Sequence, residues 1–293
     1  MKQVYEKCML CPRECGVNRY TVRGHCGVGA EIKAARAALH HWEEPCISAD
    51  RGSGTVFFSG CNLGCAYCQN EKISRGGAGN EISVSRLAEI FHELEEKGAH
   101  NINLVTPTHF VPSIIEALDI YRPNIPIVYN CGGYESIDTL KILNGYIDIY
   151  LTDIKYYSDE YAIKYSRAPG YFEIARTAAL EMIRQCSLEY DGNVMTKGVI
   201  VRHLCLPGLR NDSIKVVEAL AEFPKDSFVL SLMSQYLPCG DLSRFPELTR
   251  RVTSFEYNSV VSRAVELGLV NGYTQERGSA KDVYIPEFDG EGI

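Results

Sequence analysis

Short apolar runs rich in β-branched residues recur along the chain. Between them lie longer segments in which apolar positions return every three or four residues. The run Thr55-Val56-Phe57-Phe58 reads as a strand. After the flexible Gly76-Gly77-Ala78-Gly79-Asn80, residues 85–94 show helical periodicity, with Ser83 or Ser85 to cap the helix and Gly98 to end it. Strand-like and helix-like stretches then alternate. Strands are predicted at 101–106, 126–131, 146–155, 198–204 and 227–233, with a short one at 270–275. Helices are predicted at 112–121, 136–143, 158–165, 171–186, 213–223 and 257–267. This alternation implies an α/β fold with a parallel sheet and helices outside it. Six repeats suit a partial, TIM-like (β/α)6 barrel.

The first 50 residues do not share this pattern. They are expected to form a small cysteine-rich, metal-binding segment with its connection, and 51–293 the barrel with a C-terminal extension. Cys8, Cys11, Cys15 and Cys26 are spaced C-x2-C-x3-C-x10-C among the turn formers Pro12, Gly16, Gly24 and Gly27. Four thiolates so close in sequence can close around one metal, which would supply folding free energy that little apolar sequence can. A structural zinc and an auxiliary iron–sulfur cluster both fit; four unliganded thiols are the plainer reading. His25 and Cys46 are substitute ligands. Residues 30–49 read as an ordered connection, with Trp42 as an anchor against the barrel. His40 and His41, being adjacent, point in different directions.

Composition narrows the class. The chain has 293 residues, 45% of them hydrophobic, and a formal net charge of -7. That charge argues against a broad nucleic-acid-binding surface. Met1 to Lys7 carry no apolar stretch of the secretory kind, and no apolar run is long enough for a bilayer, so a cytoplasmic location is expected. Twelve cysteines in a reducing compartment point to metal or redox chemistry rather than a disulfide framework. Of these, Cys131, Cys186, Cys205 and Cys239 read as small core residues, with Cys205 and Cys239 near strand ends.

The chemistry concentrates on the loop leaving the first strand. Cys61, Cys65 and Cys68 are spaced C-x3-C-x2-C. Three thiolates can hold three corners of a cubane cluster and leave a fourth iron open. A closed zinc site or an electron-transfer cluster would want a fourth protein ligand. The motif, with aromatic Tyr67 before its last cysteine, resembles that of the radical S-adenosylmethionine (SAM) superfamily. Glu43-Glu44-Pro45-Cys46-Ile47-Ser48, followed by Gly52-Ser53-Gly54 and the run through Ser59-Gly60-Cys61-Asn62-Leu63, is similar to the branch that resembles pyruvate formate-lyase-activating enzymes. The resemblance implies a [4Fe–4S] cluster, SAM cleaved by one electron to a 5′-deoxyadenosyl radical, and hydrogen abstraction. It also implies a flavodoxin- or ferredoxin-type electron donor and a glycyl-radical or other protein or peptide substrate. Alternatives are radical modification of a nucleic acid or small molecule, and a non-catalytic iron–sulfur or zinc protein for electron transfer or binding.

In barrels of this type the chemistry sits at the C-terminal strand ends. The second strand ends in Thr106-Pro107-Thr108-His109, where activating enzymes carry Gly-Gly-Glu; Thr106 and Thr108 offer hydroxyl or backbone contacts to SAM instead. The third ends in Tyr129-Asn130-Cys131, and Asn130 suits a ribose or a carboxylate or simply a turn. The fourth ends in Asp153-Ile154-Lys155, whose charged residues share one side by alternation. The resemblance puts Lys155 near the SAM carboxylate and Asp153 near the sugar or a cation; a structural ion pair is the plainer reading. On the fifth, Arg202 can grip a carboxylate and His203 can touch substrate, but as neighbours they face opposite sides. Gln235 and Tyr236 are expected at the substrate opening.

Overall fold

The structure, a computed structural model, describes residues 2–75, 77–275 and 286–293. In chain order it comprises β1 (Ile32–His40), α1 (Pro45–Ser48), β2 (Ser53–Phe58), α2 (Glu71–Ser74), β3 (Asn80–Ile82), α3 (Val84–Glu96) and β4 (Ile102–Val105). Next come α4 (Val111–Ile120), β5 (Ile127–Cys131), α5 (Ile137–Leu143), β6 (Ile149–Asp153), α6 (Asp159–Ser166), α7 (Tyr171–Gln185), β7 (Glu189–Asp191) and β8 (Val194–Leu204). The last are α8 (Arg210–Leu220), β9 (Val229–Met233), α9 (Ser254–Glu266) and β10 (Gly272–Thr274).

One open sheet runs β10-β9-β8-β6-β5-β4-β2-β1-β3, and β7 pairs with β8 off its path. From β2 to β10 every neighbouring pair is parallel. Strands β2, β4, β5 and β9 are buried at every position. That is what a parallel sheet covered on both faces requires, and why these segments read as continuous apolar runs rather than alternating ones. The longer helices cover one face through one stripe each, while on the other Val128, Leu151 and Ile200 pack with Cys46 and Ile47. In α3 the buried positions are Leu87, Ala88, Ile90, Phe91 and Leu94, at helical spacing, and Ser83 caps the N-terminus by accepting from the Arg86 amide at 3.0 Å. The expected partial barrel is therefore present as an open parallel sheet with helices packed against it.

Two expectations need correction. Residues 32–40 are not a mere connection: they form β1, antiparallel to β2, with Ala38 opposite Thr55 and a bulge between Ala34 and Arg36. The chain end lies along this strand, the Ala37 amide donating to the Glu291 carbonyl and Arg36 pairing with Asp289. Nor is Trp42 a buried anchor; it is 56% exposed.

The docking of the N-terminal segment falls instead to polar groups. Arg19, only 2% exposed, donates to the carbonyls of His109 and Gly29 and stacks between the rings of Tyr5 and Phe110. Thr139 donates to the Leu10 carbonyl at 2.7 Å, and Arg13 Nε to that of Asn62 at 2.8 Å. Register sets Val105 beside Asn130 and Asp153 beside Arg202.

Candidate active site

The loop after β2 is held from two sides. At Gly60, with φ of +89°, a Cβ would stand 2.7 Å from the Cys26 carbonyl oxygen, so only glycine permits this approach. The Cys61 amide then donates to that same carbonyl at 3.1 Å. On the other side the last turn of α6 receives the loop. The Gly64 amide donates to the Ser166 carbonyl at 3.2 Å and the Ala66 amide to that of Tyr165 at 2.7 Å. Side chains continue the contact: Cys65 Sγ is 3.0 Å from Ser166 Oγ, which is 2.8 Å from the Tyr156 hydroxyl, itself 2.6 Å from that of Tyr67.

Burial, then the neighbouring thiols, push the Cys61 thiol up; the same order of causes raises Cys68. The Lys155 ammonium acts on Cys61 and Cys68 in the opposite sense, favouring thiolate. Among the described residues no three His, Cys, Asp or Glu side chains stand close enough to share one metal ion. A cubane does not ask for that, because each thiolate takes a different iron. Soft donors on one rigid loop, a hydroxyl at one sulfur and a nearby ammonium suit such a cluster.

Cys65, Tyr67 and Cys68 wall a cavity of about 250 Å³, faced across by Asn130, Asp153, Lys155 and Arg202. The charged groups form one network. Asp153 accepts from Lys155 Nζ at 2.5 Å and from Arg202 Nε at 2.8 Å. The Arg202 guanidinium also donates to Asn130 Oδ1 at 2.7 Å and reaches Glu43 at 3.5 Å. Burial alone would raise Asp153, but Arg202 and Lys155 outweigh it and hold the carboxyl below its ordinary value. Lys155, desolvated yet paired, is raised. Burial raises Glu43 against the opposing pull of Arg202, and pushes Glu44 up to about 7. Gly133 permits the crowding: at φ of +81° its Cβ would fall 2.0 Å from the Asp153 carbonyl oxygen.

Glu43 was not singled out as a site residue. Its only signal was its place in the Glu43-Glu44-Pro45 string, and nothing there tells that the turn before α1 brings it over β5 and β8. Gln235 and Tyr236 do line the cavity. Three expected SAM or substrate contacts do not. Thr106 takes a left-handed backbone (φ +59°) and its amide bonds the Asn130 carbonyl. Thr108 is buried, its hydroxyl given to Glu135 at 2.7 Å. His203 faces the other side of β8, buried, with Nδ1 2.7 Å from the Ile154 carbonyl. Cys131, Cys186 and Cys205 are buried away from the loop, whereas Cys239 Sγ donates to the Tyr67 carbonyl at 3.2 Å. Cys8, Cys11, Cys15 and Cys26 lie together beside the loop; Cys15 and Cys26 sulfurs both flank Gly24, and Cys11 and Cys26 both feel Cys8.

The fold and the site define a parallel β/α protein with a three-thiol loop over a charged cavity at the strand ends. The signature of the radical SAM superfamily matches residues 55–221, more than half of the chain, and the chain belongs to that superfamily. A relative, an uncharacterized protein of Methanocaldococcus jannaschii, is 29% identical over 275 residues, covering 91% of this chain and 75% of its own. Among solved structures, Streptococcus suis SuiB bound to precursor peptide SuiA is 12% identical with a TM-score of 0.47, over 75% of this chain and 47% of that one. HydG, a maturase of the [FeFe]-hydrogenase, is 15% identical with a TM-score of 0.47, over 72% and 48%. The chain thus spans just under half the length of these two structures. The family takes a [4Fe–4S] cluster and SAM.

Proposed function

We propose that this protein is a radical SAM enzyme in which Cys61, Cys65 and Cys68 hold the [4Fe–4S] cluster and the adjoining cavity receives SAM. The observation that carries this reading is that the thiol loop and the Asn130–Asp153–Lys155–Arg202 network wall the same cavity. Held by these three cysteines, a bound cluster would supply the single electron for cleavage of a carbon–sulfur bond of SAM, the chemistry that yields a 5′-deoxyadenosyl radical for hydrogen abstraction. Lys155 and Arg202 are cations for the SAM carboxylate. Asp153 fixes both and, with Glu43, offers negative charge to the sulfonium and amino groups. Asn130 can donate to ribose oxygens, and the Tyr67 ring forms part of the cavity wall. Anaerobic reconstitution with SAM and dithionite tests the reading: wild type forms 5′-deoxyadenosine and Cys65→Ala does not. Equal product from both sinks it.

The activating-enzyme-like string from Glu43 to Leu63 supports a protein substrate, with a glycine as the hydrogen donor. A glycyl-radical enzyme incubated with the loaded protein would then show a glycyl signal in its paramagnetic spectrum. The four N-terminal cysteines support a second metal centre. A structural zinc and an iron–sulfur cluster both suit four thiolates so close in sequence. Iron and zinc analysis of a variant lacking Cys61, Cys65 and Cys68 decides between them.

A further inference from the structure

The thiol loop has two faces. Cys65 and Tyr67 wall the cavity described above, but Gly64 and Ala66, which alternate with them, floor a second one of about 550 Å³. Four cations rim it (Arg75, Lys164, Arg167 and Arg244) against two carboxylates, Glu71 and Asp241. On a chain of net charge -7 this is a local reversal of sign. All four cations are exposed. Lys164 pairs with Glu247 at 2.6 Å and Arg75 with Glu71 at 3.5 Å, while the Arg167 side chain lies against Gly64.

We propose that this face docks the acidic one-electron carrier protein that reduces the cluster. The inference rests on the three loop cysteines holding that cluster. Three features point the same way. Where the thiol loop itself lines this cavity it does so through Gly64 and Ala66, with no side chain larger than a methyl group, beside Ile163, Tyr165 and Phe245, so a partner seated there comes close to the loop. Each floor residue adjoins a cysteine, Gly64 and Ala66 on either side of Cys65. And the face is separate from the cavity that takes SAM, so a docked carrier leaves that cavity open. A cation-rich rim with apolar Ile163, Tyr165 and Phe245 inside it suits a protein with an acidic collar around its redox group, where complementary charge raises the rate of encounter. One electron leaves the reduced carrier and enters the oxidised cluster; no bond and no proton changes hands at the docking face.

The experiment uses the full-length protein with its cluster reconstituted. A purified acidic flavodoxin and a purified ferredoxin, each chemically reduced, are mixed with it, and cluster bleaching is followed by stopped flow at low and high salt. The double variant Arg167→Glu/Arg244→Glu is compared with wild type and with Lys225→Glu, an exposed charge reversal just before β9, at the opposite end of the strands. The expected result is at least a tenfold lower second-order rate constant for the double variant with one or both carriers, a wild-type rate that falls steeply with salt, and no change for Lys225→Glu. Reduction by dithionite, iron content and melting temperature stay at wild-type values in both variants. Arg244→Gln gives a smaller loss in the same direction. A double-variant rate within about twofold of wild type, against that tenfold expectation, overturns the proposal. So does a salt-independent wild-type rate, or a wild type that neither carrier reduces although dithionite does. A wild type that holds no iron at all overturns the cluster reading itself, and the docking proposal with it.

Discussion

Asp153 is the residue whose loss the structure prices most directly. Its carboxylate lies between Lys155 Nζ and Arg202 Nε, at 2.5 Å and 2.8 Å, with all three side chains between 14% and 17% exposed. At 2.8 Å and an effective dielectric of about 20, one such pair attracts by about 6 kcal/mol before desolvation is subtracted. Asp153→Asn keeps the shape and an accepting oxygen but leaves two cations facing each other, with Glu43 at 3.5 Å as the remaining carboxylate. Breaking a buried pair from one side costs about 3–5 kcal/mol; the residual exposure and the retained acceptor bring the expectation here to about 2–4 kcal/mol. Equilibrium urea unfolding of the metal-free protein at pH 7 measures it. Because the folded carboxyl lies below its ordinary value, its stabilisation is fully present above the unfolded pKa of about 3.9 and is lost as pH falls through the folded value. The gap between wild type and variant should therefore be flat from about pH 5 to pH 8 and close in acid. Asp153→Asn combined with Lys155→Met should cost less than the sum of the two singles, since the second change removes one of the stranded charges. A cost below about 1 kcal/mol, or additivity within about 0.5 kcal/mol, would refute the claim that Asp153 carries two buried cations.

Three further outcomes follow from particular contacts. Ser166→Ala removes the hydroxyl at Cys65 Sγ and should lower the midpoint potential of the reconstituted cluster by about 40 mV, the equivalent of a hydrogen bond of about 1 kcal/mol, as read by redox titration. Glu135, buried and pushed up to about 7, holds its proton in the folded state. Its contribution is thus full below the unfolded pKa and lost as pH rises through about 7, so Glu135→Gln should gain about 3 kcal/mol relative to wild type between pH 4 and pH 8, measured by denaturation at each pH. Arg19→Met strands the carbonyls of His109 and Gly29; it should cost about 2–4 kcal/mol and make residues 2–30 the first segment cut by protease.

The parallel core was legible because buried parallel strands read as unbroken apolar runs. β4, β5 and β9 fall within a few residues of their predicted spans. Helix α9 starts earlier than its apolar period suggests, at Ser254, because Thr253 and Glu256 form a capping box. β1 was not legible. Its alanines have little strand preference of their own, and pairing with β2 on one side and with β3 and residues 290–291 on the other imposes the extended form. At the site, alternation correctly parted Arg202 from His203 and placed Asp153 with Lys155. It could not show that Thr108 spends its hydroxyl on Glu135, or that Glu43 arrives from a turn 87 residues before Asn130, because both are contacts between distant segments. Arg19 was missed for the opposite reason: a charged residue in a polar stretch gives no sign of burial until its carbonyl partners are known.

The hydroxyl series behind Cys65 joins ligation to the cavity wall in a way that free thiols do not. Its links are Cys65 Sγ, Ser166 Oγ, the Tyr156 hydroxyl and the Tyr67 hydroxyl. With Cys65 as a thiol, the protons of the series can run in either direction, since every member both donates and accepts. As a thiolate the sulfur only accepts. Ser166 must then donate to it, Tyr156 to Ser166, and Tyr67 to Tyr156, so one bond at the sulfur fixes the proton at every link. The Tyr67 proton is thereby turned away from the cavity its ring helps to wall, leaving an oxygen that can accept but not donate there. Tyr67→Phe tests the chain's direction. If the ordered series is right, it should shift the cluster potential in the same sense as Ser166→Ala but by less, because the lost donor lies three hydrogen bonds from the sulfur. A shift as large as that of Ser166→Ala, or of opposite sign, would show that the links do not act in sequence.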